Sequence, residues 1–198
     1  MKTISRRVRL IWAAVLGVAL ACISLGVAKT GLLKNEKERI VMPLIITSPS
    51  FMHDRMIPQR HTCDGLNISP ALAWSGVPTG VKSLALIVDD PDAPDPVAPQ
   101  MTWVHWVLYN IPANASGLAE GVAVKELPAG TLQGINDSQS TGYGGPCPPI
   151  GRHRYFFKLY ALDAMLPDLK HPTKAVLEKA MQNHVLAHSE LIGLYQRR

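Results

Sequence analysis

Asp90 and Asp92 flank Pro91, and so form a pair of carboxylates in a restrained relation. The proline fixes its own φ and disfavours a helical conformation at Asp90. His105 sits between Trp103 and Trp106. A third group closes the run Gly142-Tyr143-Gly144-Gly145-Pro146-Cys147-Pro148-Pro149-Ile150-Gly151-Arg152-His153-Arg154-Tyr155, whose glycines and prolines rule out a regular helix or a central strand. Taken singly, each has a plain structural role, a strand-ending turn or a hydrogen-bonded core histidine. Brought together, two imidazoles, a tyrosine hydroxyl and glycine-loop N–H groups suit an anion such as phosphate or carboxylate. The aspartates would orient the histidines or receive an ammonium group. Such a site is polar at its floor and aromatic at its rim.

These groups need a sheet to position them. From Pro43 onward the chain reads as β, with short apolar runs at Leu44 to Thr47 and at Ser83 to Val88, the second ending at Asp89-Asp90. Alternation from Trp103 to Ile111 places Trp103, His105, Val107 and Tyr109 on one face and Val104, Trp106 and Leu108 on the other. A further aromatic strand runs from Arg154 to Leu162, and proline and glycine punctuate the intervals. In the last thirty residues the period becomes 3.6, and Leu177, Met181, Val185, Ile192 and Tyr195 share a helical stripe. On this reading His184 and His188 lie on the flank of a packed helix and lack the glutamate of a zinc-protease helix. The predicted fold is mainly β, an antiparallel β-sandwich with Greek-key-like connections and a C-terminal helical segment.

Composition narrows the function classes. At 47% hydrophobic and 18% charged residues the 198-residue chain reads as one ordinary folded domain. Lys2, Arg6, Arg7 and Arg9 precede an uncharged apolar run from Leu10 to Val27, so residues 1–28 read as a signal peptide or N-terminal membrane anchor. Either way the body is exported, periplasmic or tethered to the outer face of the cytoplasmic membrane. Residues 29–42 read as a polar linker and residues 43–198 as the domain. With the leader set aside the body is nearly neutral, which gives no electrostatic argument for nucleic acid. Cys63 and Cys147 are the body cysteines. They suit one disulfide in an oxidising compartment, or two unpaired thiols near the pocket.

The motifs together resemble the phosphatidylethanolamine-binding proteins, in particular the bacterial Raf-kinase-inhibitor-like branch, over about residues 43 to 195. The resemblance rests on Asp90 to Pro94, on His105-Trp106-Val107-Leu108-Tyr109-Asn110-Ile111-Pro112, on Gly134-Ile135-Asn136-Asp137 and on the Gly142 to Tyr155 loop. Cys63 to Trp74 looks like the same family. His61 departs from it, standing where an aromatic is common, and the step from Pro149 to His153 is shorter than in many bacterial relatives. The resemblance implies a β-sandwich and a pocket built from Asp90, Asp92, His105, His153 and Tyr155, lined by Pro91, Trp103, Gly145 and Pro146. It also implies a small anionic ligand of the phosphate or phosphorylethanolamine kind, no cofactor, and an unidentified protein partner of the kinase or protease type. His105 and His153 would hold the phosphate, with Tyr155 and the Gly144-Gly145 backbone donating to it. Affinity would then weaken as pH rises through about 6.5. Two alternatives stand beside this non-enzymatic reading: a metal-dependent hydrolase using Asp90, Asp92, His105 and His153, and an interaction protein with a vestigial pocket. A membrane contact would run through the N-terminal segment if uncleaved. The oligomeric state stays open, a homodimer included.

Overall fold

In the computed structural model, which describes residues 42–197, the strands are β1 (Ile45–Thr47), β2 (Arg55–Met56), β3 (Leu72–Ser75), β4 (Ser83–Ala93), β5 (Met101–Pro112), β6 (Gly117–Leu118), β7 (Leu132–Gln133), β8 (Arg152–Leu162) and β9 (Val185–Gln196). The single described α-helix, α1, spans Lys174–Met181. The leader expected over 1–28 and all but the last residue of the linker over 29–42 lie outside the described residues. Two sheets form, β1-β3-β6 and β2-β9-β8-β4-β5-β7. All pairings are antiparallel except β2 with β9. The chain returns from β5 so that β8 pairs with β4 rather than with β5, a non-sequential connection.

The mainly β sandwich follows from where the apolar residues go. Leu84, Leu86 and Val88 of β4 pack with Trp106, Leu108 and Phe157, and against Ile46, Leu72, Trp74 and Leu118 of the small sheet. Ala85 and Ile87, on the other face, join Val107, Tyr109, Leu162, Leu177 and Met181 beneath α1. A strand covered on both sides has no reason to alternate, so β4 reads as a continuous apolar run. Asp89 is fully buried on the α1 side, where Lys158 Nζ (2.9 Å) and Lys174 Nζ (2.6 Å) neutralise it and pin the helix to the sheet.

Three local expectations are corrected. First, β4 does not end at Asp89-Asp90 but continues to Ala93, so Asp90 and Asp92 project from a strand rather than a turn. Second, strict alternation in β5 fails. Val88 pairs with Trp106 but Asp89 with Val104, which leaves His105 as the extra residue of a β-bulge. The bulge turns His105 to the Trp106 face, against Tyr155, and away from Val107 and Tyr109. A second register shift accompanies Asn110, whose φ is +55°.

Third, the C-terminal helix stops at Met181, and Val185–Gln196 is a strand. Asn183, at φ +68°, takes the left-handed conformation that ends helices. Beyond it Leu191, Gly193 and Tyr195 alternate inward, and β9 pairs along the whole of β8. A shared stripe through Val185, Ile192 and Tyr195 was therefore a coincidence of spacing. His184 instead meets Asp163 at 2.8 Å, and His188 stacks on Tyr160.

Candidate functional site

β4 runs antiparallel to both β5 and β8, so its C-terminal end meets their N-terminal ends. Asp90, His105 and His153 occupy those three ends. They line one cavity of about 350 Å³ together with Trp103 and Gly145. Pro91, Asp92, Pro146 and Tyr155, the other residues read from sequence, are not in its lining. The sequence reading omits Pro94, Met101, Asn136, Ser138, Pro148 and Pro149, which do line it. Asn136 had a signal, since it lies in the Gly134 to Asp137 motif. Its Nδ2 donates to Gly142 O (3.2 Å) and its Oδ1 accepts from Ser140 N (3.1 Å), which shapes the loop.

The glycine-proline loop is fastened at several points to β5 and to residues 61–67. Gly144 N–H donates to His105 O (2.9 Å), and Gly145 N–H to Asn67 Oδ1 (2.7 Å). A Cβ at Gly145 would collide with the His61 carbonyl, so only glycine fits. Tyr143 Oη donates to His61 O (2.9 Å), Cys63 N–H to Pro146 O (3.0 Å), and Cys63 is disulfide-bonded to Cys147. The Gly144 and Gly145 N–H groups expected to face an anion are thus already engaged. That expectation is corrected.

The two histidines differ. His153 Nδ1 lies 2.7 Å from Asp90 Oδ2, and its Nε2 is 3.0 Å from Ile150 O. A carbonyl only accepts, so Nε2 carries a proton and donates there, while the Nδ1 contact shares another proton with the carboxylate. Neither nitrogen is left to hold a ligand. His105 Nδ1–H donates to Gly144 O (2.7 Å), and its Nε2 has no hydrogen-bond partner among the described residues. Burial lowers the His105 pKa, outweighing the carbonyl bond and the nearby Asp90, Asp89 and Asp137. At neutral pH its Nε2 is therefore a bare lone pair. The folded state resists this protonation more than the unfolded chain, whose histidine titrates near 6.5. This contribution to stability is complete above about pH 6.5 and is lost as pH falls through the lowered value.

Asp90 and Asp92 also part company. Asp92 does not orient an imidazole; it accepts from Arg154 Nε (2.9 Å), Nη2 (2.7 Å) and backbone N (2.9 Å). Those bonds hold its carboxyl below the usual range, so its share of stability is present above about pH 3.8 and lost below it. The four residues considered for a metal, Asp90, Asp92, His105 and His153, do not form a ligand set. Among the described residues no three His, Cys, Asp or Glu side chains are placed to hold one.

Tyr155 lies between the histidines, its ring edge-on to His105 (5.2 Å between centroids) and stacked near His153 (6.4 Å). Burial first, then the Asp90 carboxylate, push its ionisation far upward, so it stays a neutral phenol. Its buried hydroxyl has no hydrogen-bond partner among the described residues. Tyr155→Phe is accordingly expected to leave stability unchanged or to raise it by up to about 1 kcal/mol, since it deletes an unpaired buried group. Urea unfolding checks this; a loss of more than about 1 kcal/mol would show that the hydroxyl is bonded in solution.

Among the described residues no helix is long and apolar enough to cross a membrane. A family model described as phosphatidylethanolamine-binding protein matches residues 47–196. A UPF0098 protein of Methanothermobacter thermautotrophicus is 56% identical over 142 residues, 71% of this chain and 91% of that one. The crystal structure of a phosphatidylethanolamine-binding protein homologue from Chlamydia trachomatis superposes with a TM-score of 0.72 at 42% identity, covering 79% of this chain and 99% of that one. Escherichia coli YbcL, described as a member of the mammalian family of that name, gives 0.72 at 33% identity over 79% and 100% of the two chains.

Proposed function

The chain belongs to the phosphatidylethanolamine-binding protein family, and from that premise we propose that it is an exported, non-enzymatic binding protein whose cavity takes a small phosphate-bearing ligand. The observation that carries this reading is the convergence of Asp90, His105 and His153, from three different strands, on one cavity of about 350 Å³. That volume suits a headgroup-sized molecule. The Asp90–His153 pair is buried on both sides, and His105 keeps a buried ring nitrogen with no hydrogen-bond partner among the described residues. Trp103, Met101 and the prolines form an apolar rim around that floor.

The disulfide supports both the absence of a thiol nucleophile and the compartment. Cys147 lines the cavity but is bonded to Cys63, so it offers no thiolate nucleophile. A long-range disulfide belongs to oxidising compartments, in agreement with export directed by residues 1–28. Partner modulation would use the rim, where a bound ligand changes the exposed surface.

Calorimetric titration of the full-length chain with O-phosphorylethanolamine and with inorganic phosphate tests the pocket. Binding is expected, and His105→Ala should weaken it at least about tenfold, the worth of one buried hydrogen bond to a charged group. No heat from either probe at millimolar concentration would defeat the reading.

A further inference from the structure

We propose that the free edge of β9 takes an extended segment of a partner protein as an added strand, with a basic residue opposite Glu190 and an apolar residue beside it. The argument starts from main-chain direction. In an antiparallel pair the N–H and C=O of successive residues face alternately towards and away from the neighbouring strand. Ile192 faces away from β8, since its N–H donates to His53 Nδ1 (3.3 Å) and its carbonyl accepts from Asp54 N–H (2.9 Å). Glu190 and His188 precede it at alternate positions in the same unbroken register, so their main-chain groups face outward too. None of these groups has a hydrogen-bond partner among the described residues.

The open stretch is bounded and undefended. Ala161 pairs with Ala187 but Leu162 with Val185, so a bulge at Leu186 ends it on one side. The Asp54 contact at Ile192 ends it on the other, and β2 covers β9 only at Gly193 and Leu194. Sheet edges are commonly blocked by lysine or proline, and Val185–Gln196 holds neither. Beside the edge lies a cavity of about 420 Å³, with Ile45, Ile46, Phe51, Met52, Ser189 and Leu191 in its lining. It follows the seam where β1 passes β9, bridged by the Ile46 N–H bond to Ser189 Oγ (3.2 Å). Ile45 and Met52 are exposed there.

The two faces ask for different side chains. Ser189 faces the small sheet, as its bond to Ile46 shows, so an added residue opposite it enters the apolar seam. Glu190 faces the α1 side with its cross-strand neighbour Lys158. That lysine is spent on Asp89 and leaves the Glu190 carboxylate without an ion pair among the described residues. A lysine or arginine of the added strand, opposite Glu190, supplies the missing charge. In an antiparallel segment the residues opposite Glu190 and His188 each exchange N–H and C=O bonds with β9, and the residue between them carries the apolar side chain. The site is separate from the ligand cavity, because His188 pairs with Tyr160, roughly 23 Å along β8 from His153.

Fluorescence anisotropy of the full-length chain with the labelled pentapeptide Ser-Lys-Leu-Thr-Ser tests this. Saturable binding with a Kd of about 0.1–1 mM is expected. N-methylation of its lysine and threonine amides removes the donors to Glu190 O and His188 O, and should weaken binding at least about tenfold. Exchanging its lysine for glutamate should weaken it about two- to fivefold. Glu190→Lys should reverse that order, and Glu190→Gln should abolish it if the reversed variant does not fold. Amide hydrogen exchange gives a second readout. The His188 and Glu190 amides should slow when the peptide binds, whereas the Leu191 amide, which faces β8, should not. No saturable binding, or indifference to N-methylation or to the lysine exchange, overturns the proposal. Protection of the His188 and Glu190 amides already in the free monomer also overturns it, since the edge is then covered. Competition by O-phosphorylethanolamine overturns it by placing the peptide in the ligand cavity. Self-association with those amides protected, seen by sedimentation, overturns it in favour of a second copy on the same edge.

Discussion

Replacing Cys63 and Cys147 together by serine is expected to lower unfolding free energy by about 4.5 kcal/mol. The bond joins residues separated by 84 positions, and the chain-entropy model assigns a loop of that length about this value. For a domain of this size the loss corresponds to a fall of roughly 10–18 °C in the thermal midpoint. The structural consequence is local. Cys147 lines the cavity, and the bond clamps its wall to the 61–67 segment. Three hydrogen bonds still span the same gap after substitution, from Tyr143, Gly145 and Cys63 N–H, the last surviving in serine. The wall should therefore loosen rather than detach, and phosphate affinity should drop less steeply than stability. Urea unfolding of the variant beside oxidised and reduced wild type measures this. Reduced wild type should match the variant, and a difference under about 1 kcal/mol would show that the unfolded chain is already confined without the bond.

The sequence carried the position of the cavity further than the roles of its residues. Asp90, His105 and His153 were brought together by the chemistry of their side chains and by the family resemblance, and the fold unites them because antiparallel neighbours share ends. Their hydrogen bonds could not be read, since these depend on pairing register. Arg154 takes Asp92 because β8 lies beside β4 in that register, leaving Asp90 for His153. The bulge at His105 is equally a property of two strands, as nothing in β5 alone marks an extra residue. The loop glycines were recognised as special, but for the wrong partner. Their N–H groups face His105 O and Asn67, the latter from a segment far away in sequence. At the C-terminus, tertiary pairing with β8 overrode an apolar spacing that fitted a helix. Asn183 was the local sign that the helix ends there.

Asp90→Ala should destabilise the protein by about 3–5 kcal/mol, because it leaves His153 without its buried partner. The geometry favours the upper part of that range. Asp90 and His153 side chains are 5% and 1% exposed, their contact is 2.7 Å, and Asp90 Oδ1 also accepts from Asp92 N–H at 2.8 Å. Asp92→Ala is the natural comparison. Its Arg154 partner is 54% exposed, so that pair is largely screened, and a loss of about 1–2 kcal/mol is expected, mainly from the backbone bond. Two carboxylates two residues apart should thus differ severalfold in effect. A double-mutant cycle separates charge burial from packing. If the harm in Asp90→Ala is the orphaned imidazole, His153→Leu in the same background should restore about 1–3 kcal/mol, as apolar replacements of buried pairs do. Additive losses in the double variant would instead mean that Asp90 acts through its bond to Asp92 N–H, with His153 a bystander. Ligand titration of the double variant gives the functional counterpart. His105 is untouched by either change, so phosphate binding should survive, weakened by the altered charge.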